Sequence, residues 1–204
     1  MEKSNKDWDG NKRSAYATLG ASNHTDGDRA ENDYYATDPA TIKPLFDREE
    51  FSPMIWEPAA GEGHLSKAMI ELGKTVYSTD IVDRGYSVEP LLDFLNYNGG
   101  IWHGDIITNP PYKYAQEFVE KAMNIIPDGS KVAMFLKIQF LEGQKRAELF
   151  KKYPPMVVYV FSRRQICAKN GDFESRKKEG SAVAYAWYVW EKGFKGDPII
   201  KWIN

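Results

Sequence analysis

Met54-Ile55-Trp56-Glu57-Pro58-Ala59-Ala60-Gly61-Glu62-Gly63 decides how this chain folds. Three apolar residues run into an acid, a proline and two glycines spaced by one residue. That is the texture of a short buried strand ending in a tight turn. Beyond it, Leu65, Ala68, Met69 and Leu72 recur at i, i+3, i+4 and i+7, one face of a helix. Gly73 closes that helix. Val76-Tyr77-Ser78-Thr79 is the next strand, and it ends at Asp80. Strand, glycine turn, helix, strand, acid is a βαβ unit, with parallel strands and a right-handed connection.

Working outward, the same alternation continues. Upstream, Asp38-Pro39 supplies an N-cap and a proline at the first helical position, and a short helix follows through Ile42, Leu45 and Phe46. Downstream, residues 90–95 form a short helix or turn, and residues 105–108 a strand. Ala115, Phe118, Val119, Ala122 and Ile126 mark an amphipathic helix. Residues 132–136 are a continuous apolar strand after the Asp128-Gly129 turn. A helix over 142–153 turns Ala147 and Phe150 inward and stops at Pro154-Pro155. Residues 157–161 and 182–190 are strands with no helix between them, so they pair antiparallel. The whole predicts an α/β fold: a doubly wound, mostly parallel sheet with a final antiparallel strand at its edge.

Chemistry concentrates at the strand ends, where open α/β sheets bind ligands. Asp105-Ile106-Ile107-Thr108-Asn109-Pro110-Pro111-Tyr112 runs from strand into a rigid polar corner. The two prolines fix φ near −65° and donate no N–H, and Pro110 pushes Asn109 towards an extended backbone. The Asn109 amide oxygen and the Pro110 carbonyl then form two fixed acceptors beside the flat face of Tyr112. They suit a planar group bearing an NH2, such as an adenine edge or a carboxamide. The Gly61-Glu62-Gly63 turn lets backbone approach a ligand closely. Glu57 repels phosphate there and favours an ammonium, which points to a cofactor carrying an amino acid. Asp80, nineteen residues after Gly61, has the spacing and strand-end position of an acid that holds a ribose diol. Ile81 is placed to lie against an adenine, with Asp93 to take its amino group and Phe94 its other face.

These residues resemble those of S-adenosylmethionine-dependent amino-methylating DNA methyltransferases, similar to the small phage and prophage adenine-N6 enzymes. Residues Glu57 to Gly63 match that family's Gly-rich cofactor motif, and Asn109-Pro110-Pro111-Tyr112 its catalytic tetrad. Tyr35-Ala36-Thr37-Asp38-Pro39 resembles the upstream cofactor-closing motif, with an extra Asp before the proline. The resemblance spans residues 34–190. It implies a Rossmann-like class I fold and S-adenosylmethionine as cofactor. The implied cofactor contacts are Tyr35, Thr37, Glu57, Pro58, Ala59, Gly61, Gly63, Asp80, Ile81, Asp93, Phe94 and Asn109. It further implies that Asn109 and Pro110 accept both N–H bonds of an exocyclic amine while Tyr112 stacks a base flipped out of its duplex. A protein glutamine methyltransferase uses the same tetrad on a carboxamide, and an RNA amino methyltransferase is a further alternative. A catalytically idle subunit that only binds nucleic acid stands outside the enzymes.

Composition sets the remaining bounds. The 204 residues carry a net charge of −2, so any nucleic-acid surface must be a local patch. The stretch 163–180 supplies one: Arg163, Arg164, Lys169, Arg176, Lys177 and Lys178 outnumber Asp172, Glu174 and Glu179, with Phe173 among them. It reads as a phosphate track with a stacking ring. Residues 1–33 are polar and read as a flexible arm. Residues 34–204 then form one catalytic domain with no separate target-recognition domain. The expected partner is DNA, met at a short or loose target, as single strand, or with a second chain supplying the readout. His24, His64 and His103 show no metal-ligand spacing with Cys167, so no metal site is expected. One cysteine, no apolar leader and no run of about 18 apolar residues fit the reducing cytoplasm of a bacterial or phage-infected cell.

Overall fold

The structure, a computed structural model, describes residues 36–86, 91–165, 167–168 and 183–204. Its first half contains β1 (Ala36–Thr37), α1 (Ile42–Phe46), β2 (Met54–Glu57), α2 (His64–Glu71), β3 (Thr75–Ser78) and β4 (Asp105–Thr108). The second half contains α3 (Ala115–Ile125), β5 (Lys131–Lys137), α4 (Gln144–Lys152), β6 (Val157–Phe161), β7 (Cys167–Ala168), β8 (Tyr185–Glu191) and β9 (Ile199–Ile203). Seven strands form the central sheet in the order β3-β2-β4-β5-β8-β6-β9.

Neighbouring residues of each central strand serve opposite faces, as the pleat requires. Ile55 and Ile107 pack with Ile42 and Leu45 of α1 and Leu65 and Met69 of α2. Trp56 and Ile106 pack on the other face with Phe118, Val119 and Ala122 of α3 and Leu149 of α4. Both faces are covered, so the strands can be apolar throughout. β2 pairs parallel with β3 and with β4, and β4 pairs parallel with β5. The Asp38 side chain caps the turn into α1 by accepting from the Ala40 N–H at 2.9 Å.

The far half of the sheet departs from the expectation in three places. β8 is antiparallel, but it lies between β5 and β6 rather than at the edge. Its residues from Tyr185 to Trp190 are all buried, which suits a central strand. β9, parallel to β6, forms the edge instead. β7 leaves the main sheet and pairs antiparallel with β1, Thr37 opposite Cys167. On α4, Leu149 is buried and Phe150, half-buried, packs inward against the same core and the Phe140 ring as expected, whereas Ala147 is exposed.

Large aromatics fill this half, and each buried indole finds a partner. Trp187 donates to the Thr41 carbonyl at 3.1 Å and Trp190 to the Tyr153 carbonyl at 3.0 Å. Among the described residues no helix is long and apolar enough to cross a membrane.

Candidate active site

The site is assembled from the C-terminal ends of β2, β3 and β4, which the parallel pairing sets side by side. β2 delivers Glu57, buried at 1% exposure. The Ser66 hydroxyl of α2 donates to its carboxyl and also meets the Ser78 hydroxyl at 2.6 Å. Burial pushes the Glu57 carboxyl from its ordinary 4.5 up to about 8. The hydrogen bonds from Ser66 oppose that rise, and the Asp80 charge adds to it. Hydroxyls surround this carboxyl on one side, and the cleft lies on another.

The glycine turn is held by the acid it was expected to accompany. Asp80 accepts the Gly61 N–H at 2.8 Å and the Val82 N–H at 3.0 Å. The Ala60 N–H donates to the Thr79 carbonyl at 3.0 Å. Gly61 and Gly63 both have positive φ, +56° and +74°. A Cβ on Gly63 would stand 2.3 Å from the Tyr86 ring, so only glycine fits where the turn enters α2. Asp80 keeps acceptor capacity, since a carboxylate offers about four lone-pair sites.

The ends of the three strands open onto one cleft of about 720 Å³. Thr37, Glu57, Pro58, Ala59, Asp80 and Ile81 line it together with Asp93, Phe94, Asn109, Pro110, Pro111 and Tyr112. The exposed Ile81 presents an apolar surface there. Asp93 caps a single turn, accepting from the Leu95 N–H at 3.0 Å and the Asn96 amide at 2.7 Å. Phe94 is 2% exposed and packs edge-on against Trp56, so it is a core ring as well as a cleft wall. The Thr37 hydroxyl is buried and meets no hydrogen-bond partner among the described residues. Gly61 and Gly63 shape the turn from behind the wall.

Tyr112 begins a short turn into α3. Its ring lies 6.1 Å from that of Tyr185, tilted by 31°, and the Lys137 ammonium stands 4.8 Å from its centroid. Sequence reasoning missed Lys137, as it missed His64, Arg84, Asn96, Lys113 and Tyr114 in the wall. Lys113 and Tyr114 directly follow the tetrad, and His64 opens the helix after the glycine turn. Those adjacencies were the available signal; Arg84 and Asn96 had none.

Tyr35, Lys169, Arg176, Lys177 and Lys178 lie outside the described residues. Arg163 and Arg164 are exposed and follow the C-terminal end of β6. Because β5 and β6 both run antiparallel to β8, that end falls on the same edge of the sheet as Lys137. After β6 the chain meets β1 at the Thr37–Cys167 pairing, and Thr37 lines the cleft. Among the described residues no group of three or more His, Cys, Asp or Glu could hold a metal ion.

No protein-family model matches the sequence, and no curated protein matches it. Solved structures do match the architecture. A candidate RNA methyltransferase from Pyrococcus horikoshii is 14% identical with a TM-score of 0.55, the match covering 89% of this chain and 99% of that one. A candidate class I S-adenosylmethionine-dependent methyltransferase from Listeria monocytogenes is 13% identical with a TM-score of 0.52; 80% of this chain covers 62% of that protein, under two thirds of its length. A Burkholderia thailandensis 1,6-didemethyltoxoflavin-N1-methyltransferase, solved with bound 1,6-didemethyltoxoflavin and S-adenosylhomocysteine, is 10% identical with a TM-score of 0.50, covering 76% of each chain. At these identities the likeness establishes the fold, which is the Rossmann-like class I methyltransferase fold.

Proposed function

We propose that this chain transfers a methyl group from S-adenosylmethionine to the exocyclic N6 amine of adenine in DNA. One observation carries the reading: Asn109, Pro110 and Tyr112 open onto the same cleft as Glu57 and Asp80. A corner that takes an amino group therefore faces the walls that suit an amino-acid-bearing nucleoside. The structural neighbours, which include a methyltransferase with S-adenosylhomocysteine bound, support the cofactor class.

The residues present fit that cofactor. Glu57 is a buried acid facing the cleft with hydroxyls and no cation hydrogen-bonded to it, which suits an ammonium. The Thr37 hydroxyl is buried and, among the described residues, unsatisfied at the same wall, a cost that a polar ligand group removes. Asp80 takes ribose hydroxyls, and Ile81 offers an apolar surface to the adenine. When bound, S-adenosylmethionine supplies an electrophilic methyl group.

The chain's own part in the reaction is positioning and charge. An exocyclic amine conjugated with a purine is a poor nucleophile. The Asn109 side-chain oxygen and the Pro110 carbonyl accept its two N–H bonds and favour the tetrahedral nitrogen with its lone pair exposed. Acceptors fixed before the reaction stabilise charge as it develops, and one such group is worth about 10²–10³ in rate. Tyr112 stacks the base, and the narrow cleft holds both partners in line. Arg163 and Arg164 follow β6 at the same end of the sheet as this corner, with β5 and β8 lying between β4 and β6, and support a nucleic acid as the larger substrate. Residues 34–204 act as the catalytic unit.

The test is tritiated methyl transfer to plasmid DNA, RNA and protein, compared side by side, with the labelled product identified. Label in DNA recovered as N6-methyladenine is expected. Label on protein glutamine with none in DNA would hand the corner to a carboxamide.

A further inference from the structure

The acids of the cleft stand on one side. Glu57, Asp80 and Asp93 line its β2–β3 side, together with Arg84 and His64. The wall from Asn109 to Tyr114 contains no acid and one lysine, Lys113. Just behind that wall, at the end of β5, stands Lys137. It is half-buried, its ammonium lies over the Tyr112 ring, and it pairs in register with Tyr185. Among the described residues the ion pairs are Lys43–Asp47, His64–Glu62, Lys131–Glu49 and Lys151–Glu148, so Lys137 joins none. A lysine on the surface can leave its charge to water. One held half-buried against a ring at the catalytic corner gives up part of its hydration, and an anion restores what it lost.

We propose that Lys137 binds the phosphate of the nucleotide whose base stacks on Tyr112. The inference rests on the reading of Tyr112 as the base-stacking residue and deepens it: the substrate is recognised as a nucleotide, by its phosphate as well as its base. The topology extends the site in one direction. β8 alone separates β5 from β6, so Lys137 lies about 10 Å from the end of β6 at Phe161, two residues before the Arg163-Arg164 pair. A polynucleotide backbone leaving the Tyr112 corner passes from Lys137 towards those arginines. A protein carrying a glutamine amide has no use for this cation.

The experiment compares wild type, Lys137→Met and Lys137→Arg in steady-state methyl transfer. One substrate is 2′-deoxyadenosine; the other is a short single-stranded oligonucleotide with one adenine. Binding of that oligonucleotide is followed by fluorescence anisotropy as salt is varied. For Lys137→Met the KM for the oligonucleotide should rise about 10- to 100-fold with kcat nearly unchanged. The nucleoside should show no change in KM. The salt slope of oligonucleotide binding should fall by about one. Lys137→Arg should restore most of the affinity. An unchanged oligonucleotide KM and salt slope in Lys137→Met would overturn the proposal, and so would equal losses on nucleoside and oligonucleotide. Lys137-dependent oligonucleotide binding without methyl transfer would keep the phosphate site and remove adenine methylation. Wild type that neither binds nor methylates the oligonucleotide would remove both.

Discussion

The two halves of the sheet spend their side chains differently. In the parallel half, β2, β3 and β4 end in buried polar groups: Glu57 at 1% exposure, Asp80 at 8%, and Thr108 fully buried ahead of Asn109. In the antiparallel half, β8 and its neighbours carry Trp187, Tyr188, Trp190 and Tyr159, each almost wholly buried. Buried polar groups cost stability unless they are satisfied. Aromatic burial of 150–250 Å² per side chain offsets that kind of cost. The comparison teaches that one half holds the fold while the other holds a site the fold must carry.

The largest effect expected breaks this division from the aromatic side. Trp187→Ala removes a buried indole, its 5.2 Å contact with Phe135 and its hydrogen bond to Thr41. It should destabilise the protein by about 3–5 kcal/mol in chemical denaturation. A loss below about 1 kcal/mol would show that the antiparallel half is not where stability lies.

Asn109→Ala approaches from the other side. It should leave the melting temperature close to wild type, while turnover at saturating cofactor falls about 10²–10³-fold. The loss belongs in kcat, since the acceptor matters most as the amine becomes tetrahedral. Asp80→Ala comes next. It removes the proposed ribose acceptor and also releases the Gly61 turn. Calorimetry should show cofactor affinity weakened by about 1.5–3 kcal/mol; unchanged affinity would take Asp80 out of the site.

The last effect is a slope with pH. Glu57 holds its proton in the ligand-free protein up to about pH 8, whereas its ordinary value is 4.5. Between those values the folded chain binds a proton that the unfolded chain has released. Stability of the ligand-free protein therefore falls as pH rises through that window. Cofactor binding runs the other way. An ammonium favours the ionised carboxylate, so affinity should rise with pH by up to about tenfold per unit below pH 8. Glu57→Gln should flatten that slope in titration calorimetry; a slope that persists would assign the proton to another group.

How much of this the sequence disclosed follows the same line. The βαβ unit was legible because a 3.6-residue period, a glycine turn and a strand-end acid coincide within residues 54–80. The Asn109 corner was legible because two prolines leave the backbone little choice. β1 and β7 were not, since two residues give no period to read. β9 escaped because Ile199-Ile200-Lys201-Trp202-Ile203 is an exposed edge with no clean alternation. The place of β8 inside the sheet depends on which strand it meets, and local pattern carries no such information. Lys137 reads as the polar end of an apolar strand until Tyr112 is brought beside it from 25 residues upstream.

The central claim is that the Asn109 corner acts on an adenine amine beside the cofactor cleft. The most direct test incubates DNA with trideuteromethyl S-adenosylmethionine and wild type or Asn109→Ala, then digests the DNA to nucleosides for mass spectrometry. The account predicts trideuterated N6-methyladenine with wild type, and its near absence with an Asn109→Ala protein that melts normally and is saturated with cofactor. Equal label from both proteins, or label on cytosine and none on adenine, would contradict it.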